Sequence, residues 1–274
     1  MEKLRLALQK ARAQRGEAAP VLDTRRRVPA PAAIAVTQLW EELPGFEPNP
    51  KALAKSRIVT QKANPAAIPF DRMANKTLMH MRKNDWRRLA ITSATPNCGK
   101  TQVAANLAFS LARQPDLRVM LIELDMRRPS LAALIGATPV HDIADVLAGD
   151  VPFEEQTLRI GSNLTVSLAT QSYADPGQLL LNTFTQDVLR DIETRYRPDL
   201  VIFDMPPLLA GAYAMAFLSN VDCALTVARA GKSTVSQIDQ CERETAEQTN
   251  VLGIILNQCN FSDDAASGTY DYGY

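Results

Sequence analysis

The segment "SATPNCGKT" (residues 93–101) follows the apolar run "LAITS" and ends in Gly-Lys-Thr. Such a loop does chemistry through its backbone. Successive N–H groups turned inward hold an anion, and the helix that follows adds its positive end. Gly99 lets the chain pass close to phosphate, Pro96 preorganises the turn, and Lys100 bridges the outer phosphates. The Thr101 hydroxyl suits Mg²⁺. Thr95, Asn97, Cys98 and Gln102 complete the candidate ATP-binding loop. The loop pattern calls for glycine where this chain has Ala94; what matters there is a small side chain. Cys98, beside a helix start and Lys100, is read as a tolerated small residue.

Two further segments carry acids at the ends of apolar runs. "VMLIELDMRRP" (119–129) supplies Glu123 and Asp125, followed by Arg127 and Arg128. "DLVIFDMPP" (199–207) supplies Asp204 ahead of two prolines. In a doubly wound sheet, ligands sit beyond the carboxyl ends of the strands, so these carboxylates can converge on the loop and on Mg²⁺. An acid after a strand also serves simply to cap the next helix. Three such segments in order favour the site.

The elements that must position them follow from periodicity. Strands are expected at 88–93, 118–124, 164–169, 200–204, 223–228 and 252–257, and helices at 99–114, 130–136, 142–148, 177–196, 211–219 and 233–248. This alternation predicts an α/β fold, a P-loop NTPase with a mostly parallel central sheet and helices on both faces. The domain is expected over 70–260, opening with helically spaced Phe70, Met73, Leu78 and Met81. Before it, 1–15 reads as a basic helix, and 16–69 as a proline-rich, mostly extended linker holding eight of the 17 prolines. Within that linker "VTQLWEEL" predicts a short helical island anchored by Trp40. Residues 261–274 read as a disordered tail.

With 274 residues, 46% of them hydrophobic, the chain can bury a sizeable core. Its formal net charge of zero makes no electrostatic case for nucleic acid. Four sparse cysteines at 98, 223, 241 and 259 lack zinc or redox spacing. No secretion signal or membrane span is read, and a cytoplasmic protein, recruited to the inner membrane face by a partner, is expected.

The three motifs in this order, with Tyr270, Tyr272 and Tyr274 near the end, resemble the bacterial tyrosine kinases (BY-kinases) of capsule and exopolysaccharide systems, in their soluble single-domain form. The family carries a Walker A loop, an apolar-apolar-Asp-x-Asp-x-Arg motif, a Walker B Asp before Pro, and a C-terminal tyrosine cluster. "DIADVLAGD" and "LGIILNQCN" are also similar to family segments. The resemblance implies an ATP- and Mg²⁺-dependent tyrosine autokinase that regulates polysaccharide polymerisation or export. It implies phosphate binding by Lys100, and metal binding by Thr101, Glu123, Asp125 and Asp204. Asp125 would lie nearest the tyrosine hydroxyl, Asn257 would contact the base, and the three tail tyrosines would accept phosphate. A membrane activator of the chain-length-regulator type and a homo-oligomer are implied as well. Glu123 stands where the family has Asp, which would set a carboxylate about 1 Å deeper into the site. At "FDRMANK", Arg72 and Lys76 remain where the family has its assembly helix, without the family's spacing.

Other readings stay open. A partitioning-type ATPase of the same superfamily would carry a signature lysine where Thr95 stands, and an iron–sulfur carrier would need a C-x-x-C pair. A nucleotide-sensing scaffold with little turnover would differ only in failing to transfer phosphate.

Overall fold

In the computed structural model, residues 31–259 are described, with side chains from Ala35 onward. The basic helix read at 1–15, the linker up to residue 30, and the tyrosine tail at 261–274 lie outside the described residues. Strands β1 (Arg88–Thr92), β2 (Val119–Glu123) and β5 (Leu200–Asp204) are buried along almost their whole length. That is the condition of parallel strands covered on both faces, and their near-continuous apolar runs meet it. With β3 (Leu158–Ile160), β4 (Leu164–Ser167), β6 (Cys223–Arg229) and β7 (Asn250–Asn257) they form one sheet in the order β3-β4-β2-β5-β1-β6-β7. All neighbours are parallel except β3 against β4.

Register decides where the chemistry sits. Asp204 pairs with Ile91 on one side and with Glu123 on the other. The acids at the carboxyl ends of β2 and β5 therefore stand beside the loop that leaves β1. Helix α4 (Lys100–Ala112) starts from that loop, and 11 of its 13 residues are buried. Ala104, Ala105 and Ala108 let it lie close to the sheet, and Leu107 and Leu111 fill the space between. Over it lies α3 (Ile68–Asn84), with Ala74, Leu78 and Met81 buried. On the opposite face Ile192 and Tyr196 of α9 (Thr183–Tyr196) and Phe217 of α10 (Ala212–Phe217) join a second cluster built on Ala90, Met120 and Phe203.

The six expected strands are all present within one or two residues at most ends, as are the helices. The long helix expected at 177–196 divides into α8 (Gly177–Leu180) and α9, because Asn182 leaves helical geometry and caps the Phe184 N–H. The short β3 was not foreseen; it carries only three residues and turns back at Gly161, which has φ +63°.

The extended linker is corrected over 31–69. This stretch holds α1 (Pro31–Glu42), α2 (Pro50–Lys55) and a 3₁₀ turn at Pro65–Ala67. From Val36 onward it packs on the domain. Trp40 is buried and donates its indole N–H to the Tyr196 carbonyl at 2.7 Å, so the expected helical island and its anchor are present. Asn106 of α4 accepts from the Val59 N–H, and donates to the Arg57 carbonyl, tying this strap to the helix that starts at the loop. Proline misled the sequence reading because Pro50, Pro65 and Pro69 sit in first turns, where a missing N–H removes nothing.

Candidate functional site

The loop is held from several sides. Ala94 is buried, so the residue in place of glycine packs inward as a small side chain. Asn97 and Gly99 both take positive φ, +63° and +83°. Ser93 Oγ donates to the Thr95 carbonyl at 2.7 Å, and the Cys98 thiol to the same oxygen at 3.2 Å. Asn257, at the end of β7, donates its amide to the Cys98 carbonyl at 2.9 Å. Packing is so close that a Cβ on Gly99 would lie 2.4 Å from Asn257 Nδ2. The Leu208 N–H bonds the Ser93 carbonyl, joining the loop to the segment after β5. The result is a rigid turn at a helix N-terminus, the form an anion site requires.

Lys100 is buried, with its ammonium 2.6 Å from Asp125 Oδ2 and 3.7 Å from Asp204 Oδ1. Burial alone would lower its pKa, but the Asp204 and Asp125 carboxylates raise it above the ordinary lysine value, so it stays charged. Asp204 is fully buried, and burial raises its pKa against the opposing pull of Lys100. Neither of its oxygens makes a hydrogen bond of proper geometry, although Thr101 and Lys100 lie beside it. Unsatisfied buried carboxylate oxygens are costly. This pair, with the Thr101 hydroxyl and Asp125, forms the oxygen-rich donor set that a hard divalent cation suits. The residues present therefore fit Mg²⁺.

Glu123 is placed differently from the expectation. Its Oε1 accepts the Ser130 and Leu131 N–H groups at 2.6 and 2.8 Å, and Oε2 accepts the Ala169 N–H at 3.1 Å. Three of its roughly four acceptor positions are thus taken by backbone. The extra methylene does not push the carboxylate into the cleft. It carries it to the N-terminus of α5 (Leu131–Ile135), which has no side-chain cap from Ser130. Burial, and then Asp204, push its pKa up to about 7 against the three backbone donors.

A cleft of about 570 Å³ opens here, lined by Pro96, Asn97, Gly99, Lys100, Thr101, Gln102 and Asp125 among the expected residues. Asp204 lies beneath Lys100. Thr95, Cys98, Glu123 and Asn257 do not line the cleft, and Asn257 spends its amide on the loop where a base contact was expected. Gln102 also bonds the Ser56 carbonyl. Tyr213 was missed. It lines the cleft with its ring 4.9 Å from the Arg127 guanidinium, a cation–π distance. Its run, "LLAGAYAMAF", reads as an apolar helix and gives no signal for it. Ser130, whose hydroxyl donates to Thr101 Oγ1 at 3.2 Å, was missed for the same lack of pattern.

A protein-family profile named ParA, described as an NUBPL iron-transfer P-loop NTPase, matches residues 86–271. The chain is 31% identical over 199 residues to a putative tyrosine-protein kinase AmsA of Erwinia amylovora, an alignment covering 71% of this chain and 27% of that protein. It is 32% identical over 199 residues to the tyrosine-protein kinase etk of Escherichia coli K12, again covering 71% and 27%. The solved kinase domain of the Escherichia coli tyrosine kinase ETK superposes with a TM-score of 0.64 at 26% identity, covering 77% of this chain and 82% of that one. The chain belongs to the ParA-type P-loop NTPases, in the BY-kinase branch. The chain spans about a quarter of the length of the curated relatives it matches.

Among the described residues of this BY-kinase relative, no helix is long and apolar enough to cross a membrane. Nor does any group of three or more His, Cys, Asp or Glu there form a metal-holding cluster.

Proposed function

We propose that this domain is an ATP- and Mg²⁺-dependent protein-tyrosine kinase that phosphorylates tyrosines of its own tail. The observation that carries this reading is the cluster of Lys100, Asp125 and Asp204 at the mouth of a braced phosphate loop, beside an open cleft. In this reading Lys100 binds the outer phosphates. Thr101, Asp125 and Asp204 hold Mg²⁺, which neutralises phosphate charge when bound. Glu123 fixes the segment after β2 and is a positioning residue. Asn257 braces the loop.

Phosphoryl transfer asks mainly for positioning and charge neutralisation. The tyrosine oxygen bonds the γ-phosphorus of ATP, the bond to the β-phosphate oxygen breaks, ADP leaves, and the phenolic proton passes to Asp125. Lys100 now occupies Asp125 at 2.6 Å. One ammonium cannot serve both that carboxylate and a phosphate fully, so nucleotide draws Lys100 away and frees Asp125 for the hydroxyl. The acceptors are Tyr270, Tyr272 and Tyr274, and the domain acts at the cytoplasmic face of a polysaccharide-assembly system with a membrane activator of the chain-length-regulator type. Self-association would present one tail to another site.

The test is autophosphorylation with labelled ATP and Mg²⁺, the phosphate located by mass spectrometry. Label on the tail tyrosines, lost in Lys100→Met and in the Tyr270/Tyr272/Tyr274→Phe triple variant, supports the reading. Lys100-dependent ATP binding with no label, even with the activator's cytoplasmic fragment present, would make the domain a nucleotide-sensing scaffold.

A further inference from the structure

Among the described residues the sheet ends on β3, which the Gly45 segment flanks, and on β7, which pairs with β6 alone; the side chains of β7 are not those of a quiet edge. Ile254 and Leu256 are 43% and 60% exposed. Beside it lies a groove of about 550 Å³ against α3, lined by Met73, Leu252 and Ile254 and rimmed by Arg72, Lys76 and His80. Those three polar residues are spaced four apart and so form one stripe along the helix. All three are exposed, and none takes part in an ion pair among the described residues. An edge strand that pairs on one side only among the described residues, with apolar side chains and a flanking stripe of Arg72, Lys76 and His80, is a template for an added acidic, apolar strand.

We propose that the occupant is this chain's own segment 260–274, folded back along β7. Three observations select it. The segment "NFSDDAASGTYDYGY" carries Asp263, Asp264 and Asp271 with no Lys or Arg, and four aromatic residues, so it complements the groove in charge and in apolar character. It starts where β7 stops. The chain also begins to reverse there: Gln258 has φ +57°, and the Cys259 thiol donates to the Leu256 carbonyl at 3.5 Å. Fifteen residues extended reach about 50 Å, against about 26 Å for the eight residues of β7, so length does not limit the return.

Direction fits as well. α3 leads into β1 through residues 85–87, so it runs antiparallel to β1 and to the parallel β7. A tail returning along β7 passes Arg72 first, with Asp263 and Asp264, and then Lys76 and His80. Because the tail is tethered, weak contacts suffice: its effective concentration at the groove is on the order of millimolar. The returning tail moves away from the carboxyl ends of the strands, so it carries Tyr270, Tyr272 and Tyr274 away from the chain's own cleft. That consequence rests on the proposed kinase reading; the docking does not.

The test is amide hydrogen exchange on the full chain without nucleotide. It compares wild type with Arg72→Glu/Lys76→Glu, with Asp263→Lys/Asp264→Lys, and with the four changes combined. Docking slows exchange across 252–256 by about tenfold in wild type relative to either charge-reversed variant, independently of protein concentration. The combined charge swap restores the protection, which mere surface disturbance would not do. Equal exchange in all four proteins overturns the proposal. Protection that grows with protein concentration also overturns it, by assigning the edge to a second copy. Protection abolished by Lys100→Met overturns it too, since the tail would then sit in the cleft.

Discussion

Gly99 is the residue on which the loop depends most. Its φ of +83° is one that side-chain-bearing residues adopt at a cost, and the space a Cβ needs is held by Asn257. Gly99→Ala is therefore expected to lower stability by about 1–3 kcal/mol and to weaken ATP binding by more than about tenfold, read by denaturant titration and nucleotide titration. Adding Asn257→Ala relieves the clash but not the dihedral, so recovery should be partial. Complete recovery would show that the backbone was never strained. Glu123 makes a prediction of the opposite kind. Its folded pKa is raised from 4.5 to about 7. Between those values the folded chain holds a proton that the unfolded chain has lost, so this group's contribution to stability declines as pH rises from about 4.5 to 7. In Glu123→Gln that component should vanish, leaving a flatter stability profile across this window, measured by urea unfolding in EDTA. Glu123→Ala should instead cost about 2–4 kcal/mol, since it leaves the buried Leu131 and Ala169 N–H groups and the part-buried Ser130 N–H without their acceptor.

At the scale of elements, the strands were legible because parallel strands buried on both faces must be apolar throughout, and "VMLIE" and "LVIFD" cannot be read otherwise. Lys100, Asp125 and Asp204 were legible with them, since each closes or follows such a run. What escaped was set by neighbours distant in sequence. Nothing in "LLAGAYAMAF" says that Tyr213 turns into the cleft, and nothing near Glu123 says that its carboxylate meets the N–H of Ala169. The strap over 36–69 escaped because its polar satisfaction comes from Asn106 and Tyr196, far along the chain. Trp40 is the anchor of that strap. Trp40→Ala removes a buried indole and its bond to the Tyr196 carbonyl, and should cost about 3–5 kcal/mol in chemical denaturation. ATP affinity, measured under conditions where the variant stays folded, should change less than about threefold, because the indole bonds Tyr196 of α9 and does not line the cleft. A larger loss would mean that the strap sets the position of the loop as well as protecting the core.

For the molecule as a whole, the phosphate loop is where separate parts of the fold are joined. It leaves β1, receives a bond from the segment after β5, is braced by β7, and opens the helix that carries the 57–60 strap. At its centre, one ammonium faces two carboxylates, and Asp204 lacks hydrogen bonds of its own. A ligand that satisfies these groups binds only the folded chain, so its binding free energy adds to stability. With Mg²⁺ and ADP at about a hundred times the dissociation constant, the gain should be about 2.7 kcal/mol. For a domain of this size that corresponds to a rise in Tm of about 5–10 °C. Mg²⁺ alone should raise Tm by less, and ADP with EDTA by less again, if Asp204 waits for a cation that arrives with the phosphates. Lys100→Met should lose most of the shift and start from a lower Tm, because Asp125 and Asp204 are then buried together without a counter-charge. An equal shift in Lys100→Met would place the nucleotide somewhere other than this loop. An unchanged starting Tm would show that the two carboxylates share a proton in the variant at no cost to the fold.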